Sequence, residues 1–215
     1  MQRRLFGEEK AKWKGGKVVA DRTRTGVGEE GIDSFSRMVN PNITRNLEAP
    51  TVVDMHDVTA RSHADLESNL VNLSVEQHDS ATEIIVHEMA HLLENDQEIL
   101  EKAVKFLLHK AGPKREMESI NKLTGKTGYN PYEVGFANTG FKNQYTAKVY
   151  NRRSPTSIRV WAKSDTIGRT DVYLEATEIL SMGLERMHID PIKFMDEEPE
   201  FFDFIWDTLI KKTPS

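Results

Sequence analysis

Apolar residues recur at helical spacing in two adjoining segments near the middle of the chain. Ser80-Ala81-Thr82-Glu83 has the form of a capping box, which predicts that the first helix starts near Thr82. Asp96 interrupts the pattern and can cap a second helix, from Gln97 to Ala111. Gly112-Pro113 ends this second helix. The pattern therefore predicts two consecutive helices with a short break between them.

Helical periodicity returns in the C-terminal part of the chain. From Tyr173 to Met187 the apolar residues follow a helical pattern, and Glu175 and Glu178 stand three positions apart within it. Asp190-Pro191 breaks the pattern, and Asp196-Glu197-Glu198-Pro199 opens a last helix. The apolar stripe of this last helix is expected to be core. It consists of Phe201, Phe202, Phe204, Ile205, Trp206 and Leu209.

Short β-branched or alternating segments predict strands. Thr51 to Met55 is β-branched, and Asn69 to Ser74 alternates weakly just before the first helix. We interpret Asn69 to Ser74 either as an edge strand that an extended peptide could pair with or as an ordinary sheet strand. Asn143 to Tyr150 and Ser157 to Ala162 are predicted to form a strand pair. Further short elements are predicted at 17–20 (strand) and at 33–38, 64–68 and 115–123 (helical).

This mixture of helices and strands predicts an α+β fold. Residues 1–60 are largely polar and dotted with glycine, and we expect them to form an N-terminal arm or extension with short strands. Residues 61–215 are expected to form the main domain. No internal repeat or low-complexity tract suggests a different organisation.

Composition narrows the class of protein. The 215 residues are 38% hydrophobic and 29% charged, which is typical of a soluble globular protein. The formal net charge is -5, so no nucleic-acid partner is expected. The chain has no cysteine, which excludes disulfides and thiolate metal sites. Because we find no apolar signal core and no run of membrane-spanning length, we expect no membrane partner and a cytoplasmic, virion-associated or delivered location.

The first predicted helix contains His87-Glu88-Met89-Ala90-His91, which has the spacing H-E-x-x-H. On a helix, His87 and His91 lie one turn apart on the same face, so both imidazoles can bind one ion. Glu88 is offset by one residue and can hold a water at that ion. The alternatives are a chance motif on a surface helix and a structural zinc site. A structural zinc usually has four protein ligands, often thiolates, so the motif favours a catalytic zinc site.

A catalytic zinc site usually has three protein ligands and one water. The extended motif H-E-x-x-H-x-x-G-x-x-H is excluded, because Glu94 and Gln97 occupy its glycine and histidine positions. The third ligand must come from elsewhere, and Glu178 is the first candidate, since a carboxylate on an apolar helix face needs a cation. Glu175 is a close alternative. His188 and His78 are more distant alternatives.

The His87 motif resembles that of the zincin metallopeptidases, specifically the gluzincin type with a downstream glutamate. A later block, Tyr129 to Tyr150 followed by Ala176 to Leu184, resembles a metallopeptidase domain found in phage minor head proteins and bacterial toxin-like proteins. Asp190-Pro191 and Pro199 to Phe204 extend the resemblance, which covers about residues 70–208. It implies a zincin-like fold, with a small twisted sheet packed on the zinc-binding helix and a helical C-terminal part.

The resemblance implies a zinc endopeptidase whose zinc ligands are His87, His91 and Glu178. Zinc would lower the pKa of a bound water towards about 7 and polarise the scissile carbonyl. Glu88 would accept the proton of this water as general base and pass it to the leaving amine. Gluzincins use a tyrosine or histidine as an additional oxyanion donor. Here Tyr150 is the first choice for that donor and Tyr173 is the second.

The chain departs from the family pattern at two places. In the family, a Lys-x-Tyr stands a few residues before Ala-Thr-Glu. Here residues 151–172 separate Lys148-Val149-Tyr150 from Ala176-Thr177-Glu178, and Tyr173 occupies the near position. Some gluzincins also have an acidic residue four positions after the ligand glutamate, where this chain has Met182. The sequence therefore does not identify the usual hydrogen-bond partner of a zinc histidine.

The alternative to an enzyme is a non-catalytic, zincin-like docking or structural module of a phage particle or toxin. The intact residues His87, Glu88 and His91 favour the enzyme. Its expected partner is a protein or peptide substrate, which can include its own precursor, and the chain can belong to a larger phage or toxin polypeptide. The basic Arg152-Arg153 segment is compatible with acidic substrates and equally with a solvated turn.

Overall fold

The structure is a computed structural model that describes residues 10–55, 60–74, 76, 80–164 and 168–211. The chain divides into two compact units. The first unit contains Met1–Asn95 together with Gly183–Ser215, and the second contains Asp96–Met182. The stretch predicted to be an arm, residues 1–60, therefore belongs to the first unit.

The fold is mixed α+β, as predicted. The described residues contain eight α-helices: α1 (Glu29–Met38), α2 (Pro41–Thr44), α3 (Ala81–Leu92), α4 (Gln97–Ala111), α5 (Ile120–Thr124), α6 (Ile179–Ile189), α7 (Pro191–Glu197) and α8 (Pro199–Ile205). They also contain nine strands in two sheets: β1 (Ala20–Arg22), β2 (Thr51–Asp54), β3 (His63–Asp65), β4 (Leu70–Leu73), β5 (Glu116–Ser119), β6 (Val134–Phe136), β7 (Lys148–Asn151), β8 (Ile158–Ser164) and β9 (Gly168–Thr177).

The sheet of the first unit has the strand order β1-β2-β4-β3. β1, β2 and β4 are parallel, and β3 is antiparallel to β4. Val52, Val71 and Leu73 are fully buried, which explains the apolar pattern that predicted β2 and β4. The strand predicted at 17–20 begins only at Ala20.

The edge position considered for Asn69 to Ser74 is wrong, and so is the helical turn predicted at 64–68. β4 lies between β2 and β3, so β3 is an edge strand of this sheet. The turn between β3 and β4 is stabilised by Asp65, whose Oδ1 accepts the backbone N–H groups of Glu67 and Ser68. This turn returns the chain beside β3 and places β4 inside the sheet.

Helix α3, which carries the histidine motif, packs against α1, β3 and β4. Its residues Ile85, Val86 and Met89 are fully buried. α1 begins at Glu29, before the predicted start at 33, and approaches α3 closely at Gly31, where a Cβ would lie 2.8 Å from the Cβ of Ile85. The predicted capping box is wrong. Ser80 lacks the extended backbone that an N-cap needs, with φ −113° and ψ 18°, and makes no capping hydrogen bond.

The second unit contains the other sheet, which closes on itself in the order β5-β6-β7-β9-β8. β5 and β8 are parallel, and the other neighbouring strands are antiparallel. Helix α4 has its predicted bounds and packs against β9. Asp96 caps α4 as predicted, because its Oδ1 accepts the N–H groups of Glu98 and Ile99 at 2.9 and 3.3 Å.

Other predictions for the second unit are wrong. Residues 115–123 are not one helix, because β5 precedes α5 and the side chain of Ser119 caps α5 by accepting the N–H of Lys122. β7 and β8 do not pair with each other; each pairs with β9. The segment from Tyr173 to Thr177 belongs to β9, where Leu174 and Ala176 alternate into the interior, and α6 begins only at Ile179. Glu175 and Glu178 therefore do not share a helix.

The helical C-terminal part is confirmed. α7 starts after Asp190, whose Oδ1 accepts the N–H of Lys193. The rings of Phe194 and Phe201 meet edge to face, with centroids 5.1 Å apart, and both side chains are buried. Among the helices of the described residues, none combines the length and the apolar character needed to cross a membrane.

Candidate metal centre

Helix α3 brings the two histidines of the motif together. The ring centroids of His87 and His91 are 5.2 Å apart, with the ring planes at 73°. One ligand atom from each of His87, Glu88 and His91 lies within 4.8 Å of the other two. Imidazole nitrogens and a carboxylate oxygen at this separation could hold a metal ion. The helical spacing predicted from the sequence therefore produces a compact donor group.

His87 has a carboxylate partner within the first unit. Its Nδ1 lies 2.7 Å from Oε2 of Glu185, and both side chains are partly buried. When the imidazole is neutral, an Nδ1–H that donates to Glu185 leaves Nε2 as the nitrogen able to bind a metal. Histidines that bind metals are commonly oriented by a carboxylate in this way. Glu185 therefore orients His87.

His91 also has a carboxylate beside it. Its Nδ1 lies 3.5 Å from Oε2 of Glu94, and the Glu94 side chain is fully buried. Glu94 lies in the single helical turn Leu93–Asn95 that follows α3. A buried carboxylate is costly unless a cation or hydrogen-bond donor lies next to it, and His91 can provide one. Both histidines of the motif therefore have an acidic residue at Nδ1.

Glu88 contacts the edge of the sheet. Its Oε2 accepts the backbone N–H of Ala64 in β3 at 2.8 Å. Only 9% of Glu88 is exposed, so this hydrogen bond restrains a nearly buried carboxylate. The contact depends on β3 being an edge strand, because the amide of Ala64 points to Glu88 and not to β4.

Glu178 lies in the second unit, directly before α6, and is fully buried. Its Oε1 accepts a hydrogen bond from the Tyr150 hydroxyl at 2.8 Å, and its Oε2 accepts one from the Ser181 hydroxyl at 2.8 Å. The ammonium of Lys148 lies 3.6 Å from Oε1. The carboxylate is therefore held in one orientation by hydroxyl donors and a cation.

Lys148 is the centre of a charged cluster in the second unit, with only 4% of its surface exposed. Its Nζ lies 2.8 Å from Oε1 of Glu133 and 2.8 Å from the Tyr145 hydroxyl. Burial lowers the pKa of Lys148, but Glu178, Tyr145 and Glu133 outweigh it and raise the net pKa above its ordinary value. Lys148 is therefore charged at neutral pH.

The pairing of β7 with β9 brings together two segments that are distant in the sequence. Val149 pairs with Thr177 and Tyr150 pairs with Ala176. Within residues 151–172, β8 pairs antiparallel with the first part of β9, and we refer to these two strands as the β8–β9 hairpin. The hairpin turns the chain back, so Lys148-Val149-Tyr150 lies beside Ala176-Thr177-Glu178 despite its distance in sequence.

The remaining candidates have other contacts. Tyr173 lies on β9, and its ring centroid is 5.0 Å from the guanidinium carbon of Arg153. Glu175 also lies on β9, with Oε2 3.9 Å from Arg152. His188, at the end of α6, is half-buried, and burial lowers its pKa although Glu83, Glu30 and Glu185 oppose this. His78 lies outside the described residues.

Comparison with known protein families, with characterised proteins and with solved structures finds no match to this chain. The chemistry of the described residues therefore carries the functional assignment.

The sequence contained a signal for each of the two carboxylates that the predictions missed. Glu185 lies on α6, within the predicted helical pattern and seven positions after Glu178. Glu94 follows His91 by three positions, which places it on the same helical face. We interpreted Glu94 only as the residue that excludes the longer motif H-E-x-x-H-x-x-G-x-x-H, and not as a partner of His91.

Proposed function

We propose that this chain is a zinc-dependent endopeptidase of zincin-like fold that hydrolyses peptide bonds in protein substrates. The observation that carries the proposal is the group of His87, Glu88 and His91 on one buried helix, with potential ligand atoms within 4.8 Å of one another. The carboxylates at Nδ1 of both histidines support it, because partners of this kind orient imidazoles towards a metal.

The donor set suits zinc. Neutral imidazole nitrogens and a carboxylate are common zinc ligands, and the chain has no thiolate that would complete a closed structural site. We propose His87, His91 and Glu178 as the ligands. The assignment of Glu178 rests on the resemblance of its Ala-Thr-Glu block. It also rests on the hydrogen bonds that orient its buried carboxylate.

Zinc, when bound, supplies Lewis-acid activation of a water and of the scissile carbonyl. We assign Glu88 as general base and not as a ligand, because neighbouring residues on a helix diverge by about 100° and only His87 and His91 share a face. Glu88 accepts the proton of the attacking water and delivers it to the leaving amine. The amide of Ala64 holds the Glu88 carboxylate in place through Oε2.

A tyrosine hydroxyl is the proposed donor to the oxyanion of the tetrahedral intermediate. Tyr150 is preferred because its hydroxyl donates a hydrogen bond to Glu178, the proposed third ligand, at 2.8 Å. Tyr173 is the second choice. Its ring lies near Arg153.

The decisive experiment combines metal analysis with a proteome-derived cleavage screen on wild-type protein, Glu88→Gln and Glu83→Gln. Glu83 is an exposed glutamate of the same helix, so its variant matches the charge change outside the site. We expect Glu88→Gln to keep one zinc per chain and to lose about 10²–10⁴-fold in cleavage rate, as for removal of a general base. Glu83→Gln should keep one zinc per chain and the wild-type cleavage rate.

A fully active Glu88→Gln protein would refute the general base, and wild-type protein that binds no zinc would refute the site. If the chain is instead a docking module of a particle or toxin, the Glu88→Gln protein will retain its biological effect. That outcome would replace the enzymatic proposal with the structural one.

A further inference from the structure

The outer face of the β8–β9 hairpin combines basic and aromatic residues. Along β8, Val160 and Ala162 are buried, whereas Arg159, Trp161 and Lys163 lie on the opposite face. Trp161 pairs with Asp171 of β9, and Arg159 pairs with Tyr173. Tyr173 therefore lies diagonally next to Trp161 on the same face.

Three arginines lie against these two aromatic rings. The guanidinium carbons of Arg115 and Arg169 are 4.8 and 4.4 Å from the centroid of the Trp161 ring, and that of Arg153 is 5.0 Å from the Tyr173 ring. Guanidinium groups at these distances make cation–π contacts, which limit their rotation. We name these five residues the arginine–aromatic face: Arg115, Arg153, Trp161, Arg169 and Tyr173.

Within the part of the chain that the structure describes, the three arginines have no acidic partner, unlike the neighbouring cations. The other cations of the hairpin region are paired: Arg159 lies 2.5 Å from Asp171, Lys163 3.8 Å from Glu116, and Arg152 3.9 Å from Glu175. Among the described residues, no carboxylate lies within 4.0 Å of the guanidinium nitrogens of Arg115, Arg153 or Arg169. The described residues of this face therefore carry a local positive surplus, in a chain whose formal net charge is -5.

The stacking of the arginines indicates which anion fits. A single-stranded nucleic acid would need open aromatic faces on which its bases stack. Here guanidinium groups lie over the rings, so their N–H edges are what a ligand would meet. Such edges match the two oxygens of a carboxylate. Acidic side chains of a polypeptide are therefore favoured over nucleic-acid bases.

We propose that the arginine–aromatic face binds an acidic segment of a protein partner in extended conformation. Tyr173 and Arg169 stand four positions apart on β9, which corresponds to about 13 Å along a strand. In an extended peptide, side chains at alternate positions share one face, and residues four apart span the same distance. The expected ligand therefore has glutamates or aspartates at alternate positions. This binding goes beyond the proposed hydrolysis and does not depend on it.

The test uses the full chain in its Glu88→Gln form, so that the ligand is not cleaved. A fluorescein-labelled peptide of alternating glutamate and serine is titrated by fluorescence anisotropy, beside a peptide of alternating glutamine and serine. The variant Arg153→Gln/Arg169→Gln changes two exposed side chains, so its fold should be unaffected. The control Lys102→Gln/Lys105→Gln removes the same charge from helix α4, where both side chains are also exposed.

We expect saturable binding of the acidic peptide, at least tenfold weaker binding of the glutamine peptide, and at least fivefold weaker binding to Arg153→Gln/Arg169→Gln. The lysine control should bind within twofold of the parent, which excludes an effect of net charge alone. The proposal would be overturned by equal affinity for both peptides or by an equal loss of peptide affinity in the arginine and lysine variants. It would also be overturned if a single-stranded oligonucleotide bound more tightly than the acidic peptide. None of these outcomes depends on zinc or on cleavage.

Discussion

The imidazole Nδ1 of His87 lies 2.7 Å from Oε2 of Glu185, although the two residues are 98 positions apart in the sequence. This contact joins the histidine motif on α3 to α6. The sequence alone did not identify this acidic partner of His87, since Met182 stands at the position where one was looked for.

Glu185→Ala is expected to weaken zinc binding by about 10–100-fold, because the imidazole of His87 loses the group that orients it. Glu185→Gln keeps a hydrogen-bond acceptor without the charge and should have an intermediate effect. Zinc affinity is measured by competition with a coloured chelator. Unchanged affinity in the alanine variant would show that the contact has no role in metal binding.

Glu178→Ala is expected to weaken zinc binding sharply, and Glu175→Ala serves as its matched control on the neighbouring strand. Because Glu178 also lies beside the buried Lys148, urea unfolding is measured alongside zinc affinity, so that a folding defect is recognised. A folded Glu178→Ala protein with wild-type zinc affinity would move the third ligand elsewhere, and a loss in Glu175→Ala alone would assign it to Glu175.

Lys148→Met is expected to lower the free energy of unfolding by about 3–5 kcal/mol, because it leaves buried carboxylates without their cation. Lys163→Met is the control. Lys163 is 55% exposed and 3.8 Å from Glu116, so its removal should change stability by less than about 1 kcal/mol. Urea unfolding monitored by circular dichroism distinguishes the two. Adding Glu178→Gln to Lys148→Met should recover part of the loss, since one unpaired charge is removed.

Asp65 is expected to make the stability of the β3–β4 turn dependent on pH. Hydrogen bonds from Ser68, with a smaller contribution from Glu67, lower the pKa of Asp65 from its ordinary 3.8. A depressed pKa in the folded state adds stability above the unfolded value, and this stability is lost as pH falls through the folded value.

Asp65→Asn should therefore be less stable than wild type at pH 7, by less than about 1 kcal/mol because solvent screens the group. The difference should shrink as the pH falls below the ordinary value of 3.8. Urea unfolding of both proteins between pH 7 and pH 2.5 measures it. A constant difference over that range would show that the charge of Asp65 does not matter.

Local patterns predicted well where short-range interactions decide the structure. α4 has its predicted bounds because Asp96 supplies a capping oxygen and Gly112 adopts a positive φ of 66°. The pattern from Tyr173 failed because Ala176 fits both periods: it continues the strand alternation that buries Leu174, and it stands at helical spacing from Ile179 and Leu180. Only pairing with β7 and β8 decided in favour of the strand.

The sequence by itself determined that His87 and His91 lie on the same side of α3, since two residues four positions apart share a face of any helix that contains them. It also determined the mixed fold and the absence of thiolate ligands. Only the tertiary structure decided that Glu185 reaches His87, that β3 presents Ala64 to Glu88, and that the hairpin brings Tyr150 to Glu178. The reason is physical: spacing along one helix is set by local backbone geometry, whereas contacts between distant residues depend on how chain reversals and burial arrange whole elements.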